Sequence, residues 1–392
     1  MLSLKNSSLI ATVGREWKRI TGRPIYLFSS VFVMLFCYVF FLTFFNQGLP
    51  NSLPAGVVDL DNSYVTRTFT RNIDATAQTE IVRHYSSYTE ARQDMQRGNI
   101  YGFIVFGKDF EKKLLSSRRP ELTYYVNDAY LIPGSLLLKD FTYMSALGSG
   151  YIQQRLLQAR GMSDYQIMST IQPVVLDSHL IANPWANYGI YLMNVLLPGV
   201  LQLMVLMLTI FSIGAELKER TSRNWLRTAN NSMITALCGK LLPYTFIFTL
   251  LGIGGNFILY SYMHFPMNGS LAWMCLATFL YVIAHQAIGI FFIGVFPVMR
   301  DGISLAALYG LLGFTYAGFT FPIEGMPYTA RIFSNIFPIR HYFNIYVNQA
   351  LNGSDIRYSL IYFGALLAFS ILPVFVYYRL KKAAIKLNYP AK

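Results

Sequence analysis

The sequence predicts an α-helical polytopic membrane protein with six transmembrane helices and an inserted extracytoplasmic α/β domain. Composition is the first reason, because only 13% of the 392 residues are charged, about half the share in an ordinary soluble domain. The second is a set of six apolar runs without Asp, Glu, Lys or Arg, since crossing a bilayer takes ~20 apolar residues. The third is a long polar stretch, 46–187, between the first two runs.

The six predicted spans follow these apolar runs directly. One Lys, Arg or Asp at the middle of a span costs ~2.5–3.5 kcal/mol on insertion scales, so charge-free runs of this length indicate spans. The second run contains Pro198, and the fourth contains His285, the single ionisable residue of all six. The runs are 25–45, 188–213, 241–263, 271–299, 302–321 and 358–378.

The distribution of charge predicts the orientation. The formal net charge is +13, and nearly all of the excess falls in segments on one side of the spans, namely 1–24, 214–240, 300–301 and 379–392. Short cytoplasmic loops are enriched in Lys and Arg, so both termini are expected in the cytoplasm. The expected location is the bacterial inner (plasma) membrane, with 379–392 as a basic cytoplasmic tail.

Charge, cysteine positions and the first apolar run exclude nucleic-acid binding, a disulfide or zinc framework and a cleavable signal. The basic residues flank spans, so the high charge does not indicate nucleic-acid binding. Cys37, Cys238 and Cys275 lie within or beside apolar runs, so no disulfide framework and no zinc spacing is available. The first apolar run is too long for a signal-peptide core, so no cleavable signal is expected.

The polar stretch 46–187 is too long for a simple loop. Short strand patterns alternate with helical ones, which predicts βαβ units packed into a small α/β domain. A helical pattern at 135–160 predicts a stalk that returns to the second span. The predicted strands are 56–60, 79–85, 101–106 and 122–126, and the predicted helices are 63–72, 88–97 and 109–116.

One motif in this domain imitates a phosphate-binding loop. Residues 102–108 fit the pattern G-x-x-x-x-G-K, but Asp109 stands where a Ser or Thr would bind magnesium. The residues between the two glycines read as a buried strand, so we expect a strand followed by a helix start. No other segment has this pattern, so the chain is not expected to hydrolyse ATP alone or to be an enzyme.

Two cytoplasmic segments combine charge with a few apolar residues. In 1–24, Trp17 lies among basic residues, which fits an amphipathic helix in the membrane interface as well as a positive flank that orients the first span. A charged helix at about 214–230 carries Leu217, Trp225 and Leu226. Such a helix is suited to docking on a soluble partner, whereas periodicity alone slightly favours a solvated loop.

Several prolines lie between the fifth and sixth spans. Because Pro stops helices, residues 323–347 are predicted to enter the outer leaflet as two short half-helices. Non-helical backbone at that depth is tolerated only where it is buried or faces water. A plain external loop is the alternative, and the aromatic and apolar residues of 328–347 argue against it.

These features together resemble one family, the permease subunits of type-2 ATP-binding-cassette (ABC) exporters with a large domain between spans one and two. The resemblance rests on six spans, an interfacial N-terminal helix, a charged helix after span two, and the proline pattern before the last span. It covers the whole chain and is strongest over 188–353. It implies two permease subunits, identical or different, working with two cytoplasmic ABC ATPases that bind the ATP and magnesium.

The resemblance also implies roles for individual residues. The helix after span two usually reads Glu-x-Gly-Thr and fits into the ATPase; Glu219 and Thr221 match, but Arg220 replaces the glycine. The expected ATPase-coupling residues are Glu216, Glu219, Thr221 and Trp225. The residues expected to shape an external re-entrant gate are Gly318, Pro322, Glu324, Pro327 and Pro338.

The substrate is less determined by the residues. Spans two and five are expected to line the path, with Asn194, Gln202 and Thr209 as polar exceptions in span two. An apolar lining suits outward movement of hydrophobic or amphipathic small molecules or lipids, but ordinary helix packing explains it equally well. His285 fits a neutral side chain bonded within the bundle better than a proton relay, because no acidic residue lies in any span.

The sequence bears on two other functional classes, a membrane-embedded enzyme and a surface scaffold or receptor. A membrane-embedded enzyme would need clustered intramembrane His, Asp or Glu, and the spans hold only His285. The alternative function is a membrane-anchored surface scaffold or receptor that acts through the external domain. In an exporter, that domain could instead meet a periplasmic adaptor and an outer-membrane channel. Membrane lipids are expected partners, and no cofactor or metal is expected on this chain.

Overall fold

The computed structural model describes residues 2–46, 48–116, 118–184, 187–386 and 389. The chain divides into two compact units. We call Met1–Asn46 with Leu180–Lys392 the membrane unit, and Gln47–His179 the α/β unit.

The helices and strands are named in chain order. They are α1 (Leu2–Gly22), α2 (Pro24–Phe44), β1 (Leu53–Asp59), α3 (Tyr64–Asp74), β2 (Thr79–Tyr85), α4 (Tyr88–Gln96), β3 (Gly102–Phe106), α5 (Phe110–Leu115), β4 (Leu122–Val126), α6 (Leu131–Ala159), α7 (Asp164–Ile171), α8 (Tyr188–Lys218), α9 (Ser222–Thr228), α10 (Met233–Tyr262), α11 (Leu271–Val295), α12 (Met299–Thr315), α13 (Tyr328–Phe333), α14 (Pro338–Tyr346) and α15 (Leu360–Lys386).

Five helices among the described residues are long and apolar enough to cross a membrane: α2, α8, α10, α11 and α15. The fifth predicted span, 302–321, forms the shorter helix α12 of 17 residues. This helix ends at Thr315, and Gly318 then adopts a φ of +95°, a conformation that breaks the helical path. The chain is therefore a mostly helical protein with several apolar helices, and the count of six spans remains a prediction.

Two other predicted boundaries differ from the structure. The third span was expected to begin at 241, but α10 begins at Met233, because the Ser232 side chain accepts a hydrogen bond from the Thr235 N–H and caps the helix. The fourth span was expected to reach 299, but α11 ends at Val295. Pro297 follows closely, and the residue before a proline is disfavoured in helical conformation.

The centre of the membrane unit is formed by α8 and α11. In their most apolar stretches, 67% of α8 and 72% of α11 is buried, against 22% for α2 and 17% for α15. The helices α8 and α11 pack against each other, and α12 packs on α8. The outer helices α2 and α15 therefore expose apolar surface of the kind that lipid or another membrane subunit covers.

The α/β unit contains a four-stranded sheet in the order β2-β1-β3-β4. Strand β1 is parallel to β2 and β3, whereas β4 is antiparallel to β3. All four predicted strands are confirmed, with β2 and β4 at the predicted residues. The predicted helices are also confirmed, and residues 135–159 of the helical pattern predicted at 135–160 lie within α6. The sheet and α6 share a core that includes Val57, Ile104, Phe106, Leu137 and Phe141.

Local capping explains why the helices of this unit begin and end where they do. The side chains of Ser63 and Ser87 accept hydrogen bonds from backbone N–H groups of the first turns of α3 and α4. Gly98, with φ +78°, follows α4 in the left-handed conformation that commonly ends helices. The phosphate-loop imitation is confirmed as strand β3 followed by the start of α5.

Asp94 is the centre of a polar cluster beside this sheet and gives a testable pH dependence. Tyr85 donates a hydrogen bond of 2.9 Å to its carboxylate, with Asn99 and Arg83 as further partners, and these contacts lower the pKa of Asp94. A carboxylate whose pKa is lowered by folding stabilises the fold above its unfolded pKa of about 3.9, and this contribution is lost as pH falls through the native pKa.

We therefore expect Asp94→Asn to lower the unfolding midpoint of the full chain near neutral pH and to lose this effect in acid. The measurement is a thermal unfolding series from neutral pH to below about pH 3. The control is Glu80→Gln, which removes an exposed carboxylate of β2. A difference between wild type and Asp94→Asn that stays constant across the series would contradict the assignment.

Candidate functional site

A cluster of seven charged side chains joins three helices at one end of the membrane unit. Helix α1 contributes Arg15, Glu16 and Arg19, and Arg23 follows it directly. The end of α8 contributes Glu216, with Glu219 just beyond, and α10 contributes Lys240. We call these four cations and three carboxylates the charge cluster.

Lys240 is the innermost member of the charge cluster. Its side chain is fully buried, and its Nζ lies 2.7 Å from Glu16 Oε2 and 3.1 Å from Glu216 Oε1. The Tyr244 hydroxyl donates a second hydrogen bond, of 2.8 Å, to Glu16. The ring of Trp225 lies 5.2 Å from the ammonium group, close enough for a cation–π contact. Lys240 therefore bridges two carboxylates that come from different helices.

Glu216 connects the buried pair Lys240–Glu16 to the more exposed arginines. Arg15 contacts both carboxylate oxygens of Glu216 at 2.9 Å, and Arg19 and the Thr221 hydroxyl also donate to it. Glu216 is itself fully buried. Removing one partner of a buried ion pair is strongly destabilising, because the other charge is left without compensation. Arg15 and Arg19 of α1 and Lys240 of α10 therefore neutralise Glu216 together.

Glu219 forms the exposed edge of the cluster. Arg23 reaches it with two hydrogen bonds, and Arg19 lies 3.2 Å away. The hydrogen bond from Arg23 lowers the pKa of the Glu219 carboxyl below its usual range. The turn after α8 is thereby tied to the end of α1.

Helix α9, which lies within the predicted coupling segment 214–230, is held on the membrane unit by three contacts. The Trp225 indole N–H donates to the Ala236 carbonyl at 3.1 Å. The Ser222 hydroxyl donates to the Ala384 carbonyl at 2.7 Å, and the Arg223 guanidinium donates to Ile385 at 2.8 Å. The short helix is thus attached to both α10 and the end of α15.

The apolar residues expected to face a partner instead pack inside this chain. Leu217, Trp225 and Leu226 are all at most 3% exposed. The outward surface of the segment is polar and mostly basic, and we call it the basic face. It consists of Lys218, Arg220, Arg223, Asn224 and Arg227.

Arg220 occupies a backbone conformation that suits glycine. Its φ is +59°, in the left-handed region that costs an ordinary residue roughly 1–2 kcal/mol. Aligned on Thr221, this is the glycine position of Glu-x-Gly-Thr, although the glutamate of that pattern then falls on Lys218 and not on Glu219. The turn therefore keeps the glycine-type geometry although the side chain has changed.

We expect Arg220→Gly to stabilise the chain by about 0.5–1 kcal/mol, because relief of the left-handed strain exceeds the added flexibility of the unfolded chain. Thermal unfolding in detergent would measure this gain. Arg220→Ala is the matched control, since it removes the same side chain but keeps the strain. Equal midpoints for the Gly and Ala variants would show that the conformation is not strained.

The predicted gate residues lie at starts and turns of short elements. Pro322 precedes the short 3-10 turn Ile323–Gly325, Pro327 precedes α13, and Pro338 begins α14. The two short helices predicted for 323–347 are thus present as α13 and α14. Glu324 is exposed. A Cβ on Gly318 would lie 2.8 Å from Ile323, so this close turn also requires glycine.

The three polar residues predicted for the path lie inside the bundle of a single chain. Asn194, Gln202 and Thr209 are at most 4% exposed. Tyr260 donates to the Asn194 side chain at 2.8 Å, and Gln202 donates to the Gly310 carbonyl at 3.0 Å. Asn194 also borders a cavity of about 20 Å³, which is room for one water. The side chains of Asn194 and Gln202 are thus hydrogen-bonded within the chain.

His285 is fully buried in α11. Its Nδ1 lies 2.9 Å from the Tyr281 carbonyl, and the two rings are 4.3 Å apart. The predicted hydrogen bond within the bundle is confirmed. Over the described ranges, no group of three or more His, Cys, Asp or Glu side chains is placed to hold a metal ion.

Sequence reasoning missed most of the charge cluster. Two signals were present: Glu16 is the only acid in the basic N-terminal segment, and Lys240 directly precedes an apolar run. Neither reveals its partner, because the two residues are 224 positions apart. The structure brings together Glu216, Glu219 and Thr221 of the predicted coupling set, and places Trp225 against Lys240.

Comparison with known proteins agrees with this architecture. A family model described as ABC-2 family transporter protein matches residues 24–378. A search of curated proteins gives no match. The family implies a transport subunit that is not itself catalytic, with a partner ATPase subunit and dimerisation. The matched range, 24–378, covers most of the chain and runs from α2 into α15, so the protein belongs to the ABC-2 transporter family as a multi-pass membrane permease subunit.

Proposed function

We propose that this chain is the permease subunit of an ABC exporter, driven by ATP hydrolysis on a separate cytoplasmic ATPase that binds the nucleotide and magnesium. The observation that carries the proposal is the attachment of α9. Its outward side is exposed and mostly basic, while its inward side is bonded to α10 and α15. A displaced α9 would therefore displace the helices to which it is bonded.

The proposed topology has six spans, with α12 as the fifth and both termini in the cytoplasm of a bacterial inner membrane. Support comes from the charge distribution, because the basic ends of α1, α8 and α15 would then share the cytoplasmic side. On this topology, residues 46–187 are extracytoplasmic, and α13 and α14 are the re-entrant half-helices near the outer surface.

The charge cluster suggests how movement passes through the permease. In the proposed mechanism, nucleotide binding closes the ATPase dimer and pulls on α9 and the turn at Glu219. Glu216 and Trp225 act as positioning residues inside the chain, because both are fully buried. The ion pairs with α1 and Lys240 make these segments shift as one body.

A second permease subunit, the same or different, would complete the translocation path. The residues inside the α8–α11 bundle are bonded within one chain, so the path surface is proposed to include the exposed side of α12. That side carries Ser304, Leu308, Leu311 and Thr315, a mixed lining that suits amphipathic molecules or lipids. An adaptor and an outer-membrane channel could engage the α/β unit in a cell with two membranes.

The experiment that tests the proposal is purification of the tagged full chain from its native membrane. We expect an ABC ATPase to co-purify, and the pair in liposomes to move cargo only with hydrolysable ATP. A chain that is fully active without any nucleotide-hydrolysing companion would overturn the exporter assignment. A phenotype untouched by disabling the ATPase would instead favour the surface scaffold or receptor.

A further inference from the structure

The α/β unit contains a cavity of about 600 Å³ that the proposed mechanism does not use. Its volume is within the range of about 300–1,000 Å³ typical of small-molecule sites. Two largely apolar walls border this open cavity. One is formed by Phe69 and Phe110 of α3 and α5, and the other by Ile152, Leu156 and Leu157 of α6.

Three arginines also line this cavity: Arg118, Arg119 and Arg160. No Asp or Glu is among the described lining residues, and none of the three guanidinium groups forms an ion pair within the described part of the chain. Other arginines of the same unit do find carboxylates, as Arg83 and Arg97 do at Asp94. The cavity therefore combines an apolar interior with uncompensated positive charge.

Gly148 of α6 lets the Phe69 ring approach this helix closely. Gly148 lines the cavity, and a Cβ there would lie 2.5 Å from the Phe69 ring. Ser145 and Ser149 line the same helix face. The apolar side chains of α6 that face the two aromatic rings accept a hydrocarbon chain, and guanidinium groups bind carboxylate or phosphate oxygens in forked geometry.

We infer that this cavity binds an amphipathic anion, with its hydrocarbon chain between α6 and the two phenylalanines and its carboxylate or phosphate head on the arginines. The occupant is also the cargo of the transporter, and this second statement rests on the proposed function. Nucleic acid and polar metabolites fit less well, because the side chains on both sides of the cavity are largely apolar.

Binding to the full chain in nanodiscs of zwitterionic phosphatidylcholine tests the inference without ATPase or nucleotide. The probe is dansyl-labelled undecanoic acid, compared with the matching alcohol and the matching amine. We expect the acid to bind at least about tenfold more tightly than either, because only the acid offers a charge-assisted partner to arginine. Each methylene removed from a series of competing fatty acids should weaken competition by up to about fourfold. A competing alkyl phosphate of equal chain length distinguishes a phosphate from a carboxylate head.

Variants test the charge of the three arginines and the space in the cavity separately. Arg118→Glu/Arg119→Glu/Arg160→Glu should abolish acid binding, whereas the triple Lys variant should retain most of it. Ser149→Trp should abolish binding by filling the space, and Arg92→Glu, an exposed arginine outside the cavity, should change nothing. Unfolding midpoints identify any variant that fails to fold.

Equal affinity for the acid and the alcohol, or unchanged binding in Ser149→Trp, would overturn the inference. These outcomes are independent of the ATPase. Binding that persists in a chain that recruits no ATPase would leave the site established and remove only its role in transport. A chain that recruits the ATPase normally but does not bind the acid would contradict only the cavity inference and not the proposed function.

Discussion

Replacing Lys240 with methionine should destabilise the membrane unit by about 3–5 kcal/mol, the usual cost of breaking a buried ion pair from one side. The substitution keeps the length of the side chain but leaves Glu16 and Glu216 buried without the ammonium that bridges them at 2.7 and 3.1 Å. Thermal unfolding in detergent, with protease sensitivity of α1 as a second measurement, would report the change.

The double variant Lys240→Met/Glu16→Gln tests whether this loss of stability comes from the ion pair between Lys240 and Glu16. Because it removes a cation and an anion together, it should recover a substantial part of the stability, and the cycle gives the coupling energy. Glu80→Gln, an exposed carboxylate of the α/β unit, serves as the control for generic charge loss. Additive effects of the two substitutions would show that Lys240 and Glu16 do not interact.

Charge reversal on the basic face should strongly weaken association with the ATPase. Arg220→Glu/Arg227→Glu changes two exposed residues while leaving buried Glu216 and Trp225 intact. We expect the affinity for the ATPase to fall on the order of 100-fold, because like charges placed across an interface cost several kcal/mol. Co-purification and titration of the purified ATPase would measure the loss.

The matched control is Arg220→Lys/Arg227→Lys, which keeps the charge and should retain most of the affinity. Deleting 216–227 outright is a poorer test, since it removes core residues such as Trp225 and Leu226. A reversed variant that is stably folded and still binds the ATPase normally would exclude the basic face as the docking surface.

The α/β unit could be predicted well because its signals are local. Strands β2 and β4 were read directly from short patterns, and α3 and α4 from capping serines and the glycine after α4. Residues 302–321 are predicted as the fifth span, whereas the helix in this range ends at Thr315, several residues before the prolines, because composition alone does not show where a helix ends.

The candidate site was harder to predict for a physical reason. Periodicity shows which residues of a helix share a face, but not which neighbour covers that face. The sequence therefore predicts that Trp225 and Leu226 contact a partner protein, whereas α10 and other elements of this chain cover them. The residues at the end of α1 and their partners near α8 and in α10 are roughly two hundred positions apart, so no local pattern could have paired them.

The separation of Glu16 and Lys240 also sets an order of events during synthesis. The two residues are 224 positions apart, and a ribosome adding ~5–20 residues per second needs roughly 10–45 s to cover that distance. Throughout that interval the first helix emerges without its lysine, and the early spans enter the bilayer before it can dock. Completion of the third span thus acts as the step that locks the N-terminus in place.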